Sequence, residues 1–265
     1  MSDALARYTL PDGTSIASAS TNEANYLYDE IFGGDCYAPR ELRLPEAPTV
    51  LDLGANIGMF TLYAGRRWPG ARLIAVEPIP EICRALEENC AAVGATAVEV
   101  AIGSRVTEKQ LLFFPKMTLM SCEQDRLRGA RSELARYLRN THQGLADDGE
   151  DAVNELVDYV LSGSPRHVKV TTISDLMRRF ELSHVDLVKI DVEGSELEAL
   201  NGVADADWQR IGAIVSEVDE AEGALTEVVA LLERAEFEVR TSQAAGYTGT
   251  GLHLVVALKR GWTTP

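Results

Sequence analysis

Positive charge is scarce in this chain. Its 25 Lys and Arg stand against 41 Asp and Glu, a formal net charge of -16. Such a surface repels phosphate backbones, so nucleic acid is not an expected partner. Long apolar runs are missing too: none approaches the roughly 18 residues that would suggest a membrane span. Met1-Ser2-Asp3-Ala4 carries no basic stretch followed by an apolar one, so no leader is read there and the cytoplasm is the expected location. The four cysteines, Cys36, Cys83, Cys90 and Cys122, form no Cys-x-x-Cys pair. A disulfide framework or a zinc site with recognisable spacing is therefore not expected, and buried free thiols are.

Two nucleotide signatures are also absent. A Gly-x-Gly-x-x-Gly fingerprint set on Gly54 would need glycine where the chain has Asn56 and Met59, which argues against a nicotinamide dinucleotide. No Gly-Lys-Ser/Thr follows a strand, so a nucleoside triphosphate loop is not supported.

What is present reads as an ordinary globular chain: 265 residues, 46% hydrophobic and 25% charged, enough for one core with decoration. The first 48 residues read as an N-terminal arm with a helix around Glu23 to Phe32. From Thr49 onward, strands and helices alternate. Buried strands are expected at 49–53, 72–76, 98–102, 185–190 and 211–215. Helices are expected at 60–67, 80–93, 193–200 and 225–235. Such alternation implies an α/β fold with a doubly wound, mainly parallel sheet covered on both faces. Segments 237–241 and 252–258 are expected to pair antiparallel at its side. Between about 116 and 166 the pattern breaks. There Val153, Leu156, Val157, Val160 and Leu161 mark one apolar helical face, so this stretch reads as a helical insertion or lid.

The strongest local signal is Val50-Leu51-Asp52-Leu53-Gly54-Ala55-Asn56-Ile57-Gly58, a buried strand ending in a glycine loop that enters a helix. In open parallel sheets, ligands bind beyond such strand ends. Gly54 and Gly58 would let the backbone turn tightly and approach a ligand. Asp52 could meet a cationic amino group. Glu77 ends the second strand, where a carboxylate can accept from both hydroxyls of a ribose; the alternative is a helix cap near Pro78 to Pro80. A ribose ligand without a diphosphate is indicated.

At this point the chain resembles the class I S-adenosylmethionine methyltransferases, with their Rossmann-like fold, and within them the FkbM-like family. Residues 50–60 are similar to the family's cofactor loop. Leu187-Val188-Lys189-Ile190-Asp191-Val192-Glu193-Gly194-Ser195-Glu196-Leu197 resembles its second, more specific signature. Residues 26–37, Phe114-Pro115-Lys116-Met117-Thr118-Leu119-Met120-Ser121 and Asp207-Trp208 resemble the subgroup found beside or inside polyketide and nonribosomal peptide assembly lines.

The resemblance implies a methyltransferase domain over 49–265, with S-adenosylmethionine as cofactor and S-adenosylhomocysteine as product. It implies that Asp52 and Gly54 face the methionine end, that Asn56 and Gly58 shape the loop, and that Glu77 and Pro78 lie at the ribose. Ala101 and Ile102 would lie beside the adenine, and Tyr37 would close over the methionine part. It also implies an O-methyltransferase acting on a small-molecule hydroxyl. N- or C-methylation, a carrier-bound intermediate held by an acyl or peptidyl carrier protein, and a non-catalytic cofactor-binding module remain alternatives. Oligomeric state is open.

Asp191 and Glu193 follow the fourth strand, so both are candidate catalytic residues, Asp191 as base or acceptor anchor and also as a cofactor neighbour. The competing reading makes Asp191 a cap for the following helix, with Glu193 and Glu196 complementing its N-terminus. Asp191, Glu217 and Asp219 could meet around Mg²⁺, but a solvated loop is favoured and no metal is assigned. Where the subgroup carries His after Glu-Val, this chain has Asp219, so no role of that His carries over. His142, His167, His184 and His253 occupy no motif. Lys116, Arg126, Arg128, Arg131, Arg136 and Arg139 outweigh Glu123, Asp125 and Glu133. This locally basic stretch could dock an anionic acceptor or carrier, although a solvated helix face is favoured.

Overall fold

The computed structural model describes residues 5–18, 20–34, 37–38, 42–141, 150–220, 223–243 and 251–262. They form two compact units, one from residues 1–107 and 169–265, the other from residues 108–168. Cys36 and His142, and most of the glycine-rich stretch before the last strand, lie outside the described residues.

The first unit opens with an antiparallel hairpin, β1 (Ala6–Thr9) and β2 (Ser15–Ser18), followed by a helix at Thr21–Tyr28. Its main sheet contains β3 (Thr49–Leu53), β4 (Arg72–Val76), β5 (Thr96–Val98), β10 (Leu187–Ile190), β11 (Ala213–Asp219), β12 (Phe237–Ser242) and β13 (Leu252–Lys259). The order is β12-β13-β11-β10-β3-β4-β5. The five strands from β11 to β5 run parallel, and β13 lies antiparallel to both β11 and β12. The chain begins in the middle at β3, moves outward through β4 and β5, then returns to start the other half at β10. The gap between β3 and β10 is thus the topological switch point, where the carboxyl ends of parallel strands leave a crevice.

The sequence explains this arrangement. Leu51, Leu53, Ile74, Val76, Val188, Ile190 and Ile214 are buried in one apolar core on one face of the sheet, and Val50, Leu73, Ala75, Leu187 and Val215, which alternate with them, are buried too, as expected of strands covered on both faces. The helix Pro80–Cys90 starts with proline in its first turn and turns Ile82, Cys83, Leu86 and Cys90 inward. Gly94, in the left-handed region at φ 67°, ends the three-residue turn that follows. Burial pushes both Cys83 and Cys90 up to about 12, and with Cys122 they are buried free thiols.

Several boundaries differ from the sequence expectation. The strand expected at 98–102 is two pieces, β5 and the short β6 (Ala101–Ile102), which pairs with Val170 and Thr171 instead. The strand expected from 185 begins at 187, with Val185 making only a single bridge to Ile211. β11 runs on to Asp219, past the Val215 expected as its end, and Glu217 lies within the strand opposite Leu254. The expected N-terminal helix stops at Tyr28 and widens into a π-turn at Asp29–Gly33.

The N-terminal 48 residues belong to the same compact unit as the sheet. Asn89 explains part of this: its side chain pairs with the Ala17 backbone at both N–H (2.8 Å) and carbonyl (2.9 Å), anchoring β2 to the helix Pro80–Cys90.

The second unit is not purely helical. It carries β7 (Thr107–Phe113), β8 (Cys122–Glu123) and most of β9 (Ser164–Thr171), besides helices at Leu127–Thr141 and Glu150–Val160. Val153, Val157 and Leu161 pack with Leu134, Leu138 and Phe114 in its own core, with Leu156 and Val160 partly buried against it. Ion pairs from Arg131 to Asp158 and from Arg139 to Glu150 join the two helices, so part of the local basic excess is matched within the unit. Among the described residues no helix is long and apolar enough to cross a membrane.

Candidate active site

The site is built on the switch point. β3 delivers Asp52, register-paired to Lys189 of β10 on one side and Ala75 of β4 on the other. The chain then turns at Gly54, whose N–H and that of Ala55 both donate to Val76 O. Gly54 has φ 74°, and a Cβ there would stand 1.7 Å from the carbonyl oxygen of Asp191. Only glycine permits this turn and this approach. Asn56 is also left-handed at φ 49°, a region asparagine tolerates better than most residues. Its N–H donates to Glu77 Oε2 (3.2 Å), and its side-chain oxygen accepts from Ile57 N (2.8 Å). Gly58, at φ 87°, begins the helix Met59–Arg67, and Asn89 Nδ2 holds Ile57 O at 2.7 Å.

Asp52 is buried. One oxygen accepts from Thr61 Oγ1 at 2.6 Å; the other, Oδ1, lies 3.4 Å from Lys189 Nζ and has no hydrogen-bond partner. Lys189 is equally buried, and its ammonium also reaches Asp191 Oδ2 (3.3 Å) and Gly54 O (2.7 Å). Burial alone would lower it, but the Asp191 and Asp52 carboxylates hold Lys189 well above its ordinary value. Reading the sequence alone missed this residue.

Glu77 lies at the tip of β4, buried, accepting from Asn56 N and Ile79 N, while its own N–H donates to Val98 O. Burial pushes it up to about 7. Pro78 follows, half-buried, and Ala101 and Ile102 lie buried just past β5.

Asp191 leaves β10 with a third of its side chain exposed, and it does not cap the next helix. Glu196, buried and pushed up to about 7 by burial, ties down the loop before that helix instead: its Oε1 accepts from Val192 N (3.1 Å) and Gly194 N (3.0 Å). Glu193 is exposed, with a left-handed backbone at φ 53°. The helix expected from 193 therefore starts at Glu196.

Tyr37 is buried against Phe60, ring centroids 5.7 Å apart, with Lys189 Nζ 5.1 Å from its ring. Its hydroxyl sits 3.0 Å from Asp191 Oδ2 and 2.7 Å from Glu217 Oε2. Lys189 thus joins Asp52, Gly54 and Asp191, and the Tyr37 hydroxyl links Asp191 to Glu217, in one network. Asp219 is exposed at the end of β11, and among the described residues no group of three or more His, Cys, Asp or Glu is arranged to hold a metal. His167 meets Gln110, His184 meets Asp186, and His253 meets Glu220 and Gln243.

This sheet order, with its central crossover and antiparallel β13, and a glycine turn between two acidic strand tips define a Rossmann-like S-adenosylmethionine-dependent methyltransferase. The chain belongs to the FkbM methyltransferase family: the family model described as "Methyltransferase FkbM domain" matches residues 52–239. It is 37% identical to "31-O-demethyl-FK506 methyltransferase FkbM" of Streptomyces tacrolimicus, over 97% of this chain and 98% of that one. It is 33% identical to a stretch of "AMB antimetabolite synthetase AmbE" of Pseudomonas aeruginosa, over 96% of this chain but 12% of the synthetase. Among solved structures, methyltransferase FkbM from Methylobacillus flagellatus has the same fold, with a TM-score of 0.51 at 14% identity, over 83% of this chain and 46% of that one.

Proposed function

We propose that this protein transfers the methyl group of S-adenosylmethionine to a hydroxyl oxygen of a small-molecule natural product or its biosynthetic intermediate. The observation that carries this reading is the near full-length 37% identity to a relative whose name specifies O-methylation of a demethylated natural product.

The residues at the switch point fit the methyl donor. Glu77, at the tip of β4, would accept from the ribose hydroxyls, and Pro78 would border them. Asp52 Oδ1, buried without a hydrogen-bond partner, is an acceptor suited to the cationic methionine end, and the glycine turn at Gly54 gives close approach. Asn56 and Gly58 hold the loop, Ala101 and Ile102 would flank the adenine, and Tyr37 would cover the methionine part. Bound S-adenosylmethionine supplies an electrophilic methyl carbon. When bound, it would pass that carbon to the acceptor oxygen, the sulfur keeping the electron pair of the broken sulfur–carbon bond. Asp191, partly exposed at the crevice, would take the proton the hydroxyl loses. Glu193 stays exposed and would act on the acceptor rather than on the donor.

A carrier-bound acceptor is the second reading, supported by the match to a segment of a much longer synthetase. Purified chain incubated with S-adenosylmethionine and 31-O-demethyl-FK506, as a probe of the hydroxylated class, tests the proposal. Mass and fragment analysis should locate one added methyl on oxygen. A methyl on nitrogen or carbon would overturn it.

A further inference from the structure

Two carboxyl groups share the Tyr37 hydroxyl, Asp191 at 3.0 Å and Glu217 at 2.7 Å, yet a phenol carries a single proton. If both carboxyls were ionised, one short oxygen–oxygen contact would hold no hydrogen. A second proton must therefore lie on one of them. The Lys189 ammonium stands 3.3 Å from Asp191, and among the described residues no ion pair reaches Glu217. The proton belongs on the carboxyl group without the adjacent cation.

We propose that protonated Glu217 donates to Tyr37 and Tyr37 donates to Asp191, a hydrogen-bond chain of fixed direction that makes Glu217 a positioning residue for the Asp191 carboxylate. The use of Asp191 as proton acceptor rests on the function proposed above; the direction of the chain does not. With Glu217 protonated, Tyr37 points its hydrogen at Asp191 and Lys189 braces the same oxygen, leaving Asp191 Oδ1 for the acceptor. Once Glu217 ionises, the phenol proton turns toward it and Asp191 loses a donor.

The groups around Glu217 agree with this. Asp191 after β10 and Glu30 in the π-turn face it with like charge, while Tyr37 and Lys189 oppose them. The net effect, led by burial, pushes Glu217 up to about 8. On β13 its register partner is Leu254. His253 pairs with Val218, so it falls on the opposite face of the sheet, where it meets Glu220 at 3.5 Å. Asp219, two residues along the same strand, is exposed.

Infrared difference titration of the full chain, with neither methyl donor nor acceptor present, tests the proposal. A carboxylic acid carbonyl band should vanish with a midpoint near pH 8 and be missing from Glu217→Gln. Glu77 and Glu196, both near 7, add bands of their own, so assignment rests on the variants. Tyr37→Phe should raise the midpoint, because the ionised form loses a donor. Asp191→Asn should lower it, because a like charge is gone. Near-ultraviolet circular dichroism checks the fold; should Glu217→Gln not fold, the opposite shifts of the other two variants decide. A band that disappears with Asp191→Asn instead of Glu217→Gln would reverse the chain, and no band titrating above the two near 7 would overturn it. Neither result depends on which atom accepts the methyl group.

Discussion

Replacing Lys189 with methionine removes the ammonium that faces Asp52 Oδ1 at 3.4 Å, Asp191 Oδ2 at 3.3 Å and Gly54 O at 2.7 Å. Methionine is unbranched and fills most of the same space, so the loss is electrostatic rather than a cavity. The Asp52 side chain is 4% exposed and cannot recover water, whereas Asp191 at 31% can. Stranding one member of a buried ion pair costs about 3 to 5 kcal/mol. The Gly54 carbonyl, left without its charged donor, adds about 1 to 3 kcal/mol where water does not replace it. Because these terms share one ammonium, they do not add in full, and we expect a loss of about 4 kcal/mol at pH 7. Lys189 is raised in the folded state, so its contribution is complete below the unfolded value of about 10.4 and declines only as pH rises through the folded one. Urea unfolding of both proteins at pH 7 measures the effect. A deficit under about 1 kcal/mol at pH 7, typical of an exposed pair, would refute the claim that this ammonium holds the switch point together.

Three further outcomes follow from the same geometry. Gly54→Ala places a Cβ 1.7 Å from Asp191 O at φ 74°; the left-handed backbone alone costs about 1 to 2 kcal/mol, and the loop must also move. Calorimetric affinity for S-adenosylhomocysteine should fall at least about tenfold, and an unchanged affinity would contradict the placement. Glu77→Ala should weaken S-adenosylmethionine binding by about 1.5 to 3 kcal/mol; equal affinity in wild type and variant would count against the ribose assignment. Glu77 and Glu196 rise from 4.5 to about 7 and Glu217 to about 8. In this window the folded state binds more protons than the unfolded one, so stability falls as pH rises from about 4.5 to 8. Urea midpoints should be higher near pH 5.5 than near pH 8.5, and a rising trend would show that these carboxyls are not held protonated.

Much of the frame was legible because its signals are local. Apolar runs such as Thr49–Leu53 and Leu187–Ile190 mark strands covered on both faces, and glycine at 54 and 58 marks a backbone turn. Strands β7 and β9 were not legible: Thr-Glu-Lys-Gln opens one and Ser-Pro-Arg-His the other, polar starts that carry little strand signal. Lys189 hid in plain view. A lysine in an apolar strand signals a buried cation, but its partners Asp52 and Asp191 come together only through the parallel register of β3 and β10. Glu196 was read as complementing a helix N-terminus, yet it ties down the loop before that helix. Asn89 left no sequence trace at all, because its two backbone partners lie 72 and 32 residues away. The full length of β11 leaves little trace past the apolar stretch that ends at Val215, and only its pairing with β13 shows that it runs on through Glu217 to Asp219.

The most direct test is a crystal structure of the chain grown with S-adenosylhomocysteine. Its ribose hydroxyls should lie within hydrogen-bond distance of Glu77, and its amino acid end should lie beside Asp52 and Gly54, below Tyr37. Finding the compound elsewhere, or finding Glu77 still bonded only to Asn56 N and Ile79 N with the crevice at the switch point unfilled, would contradict the proposed site.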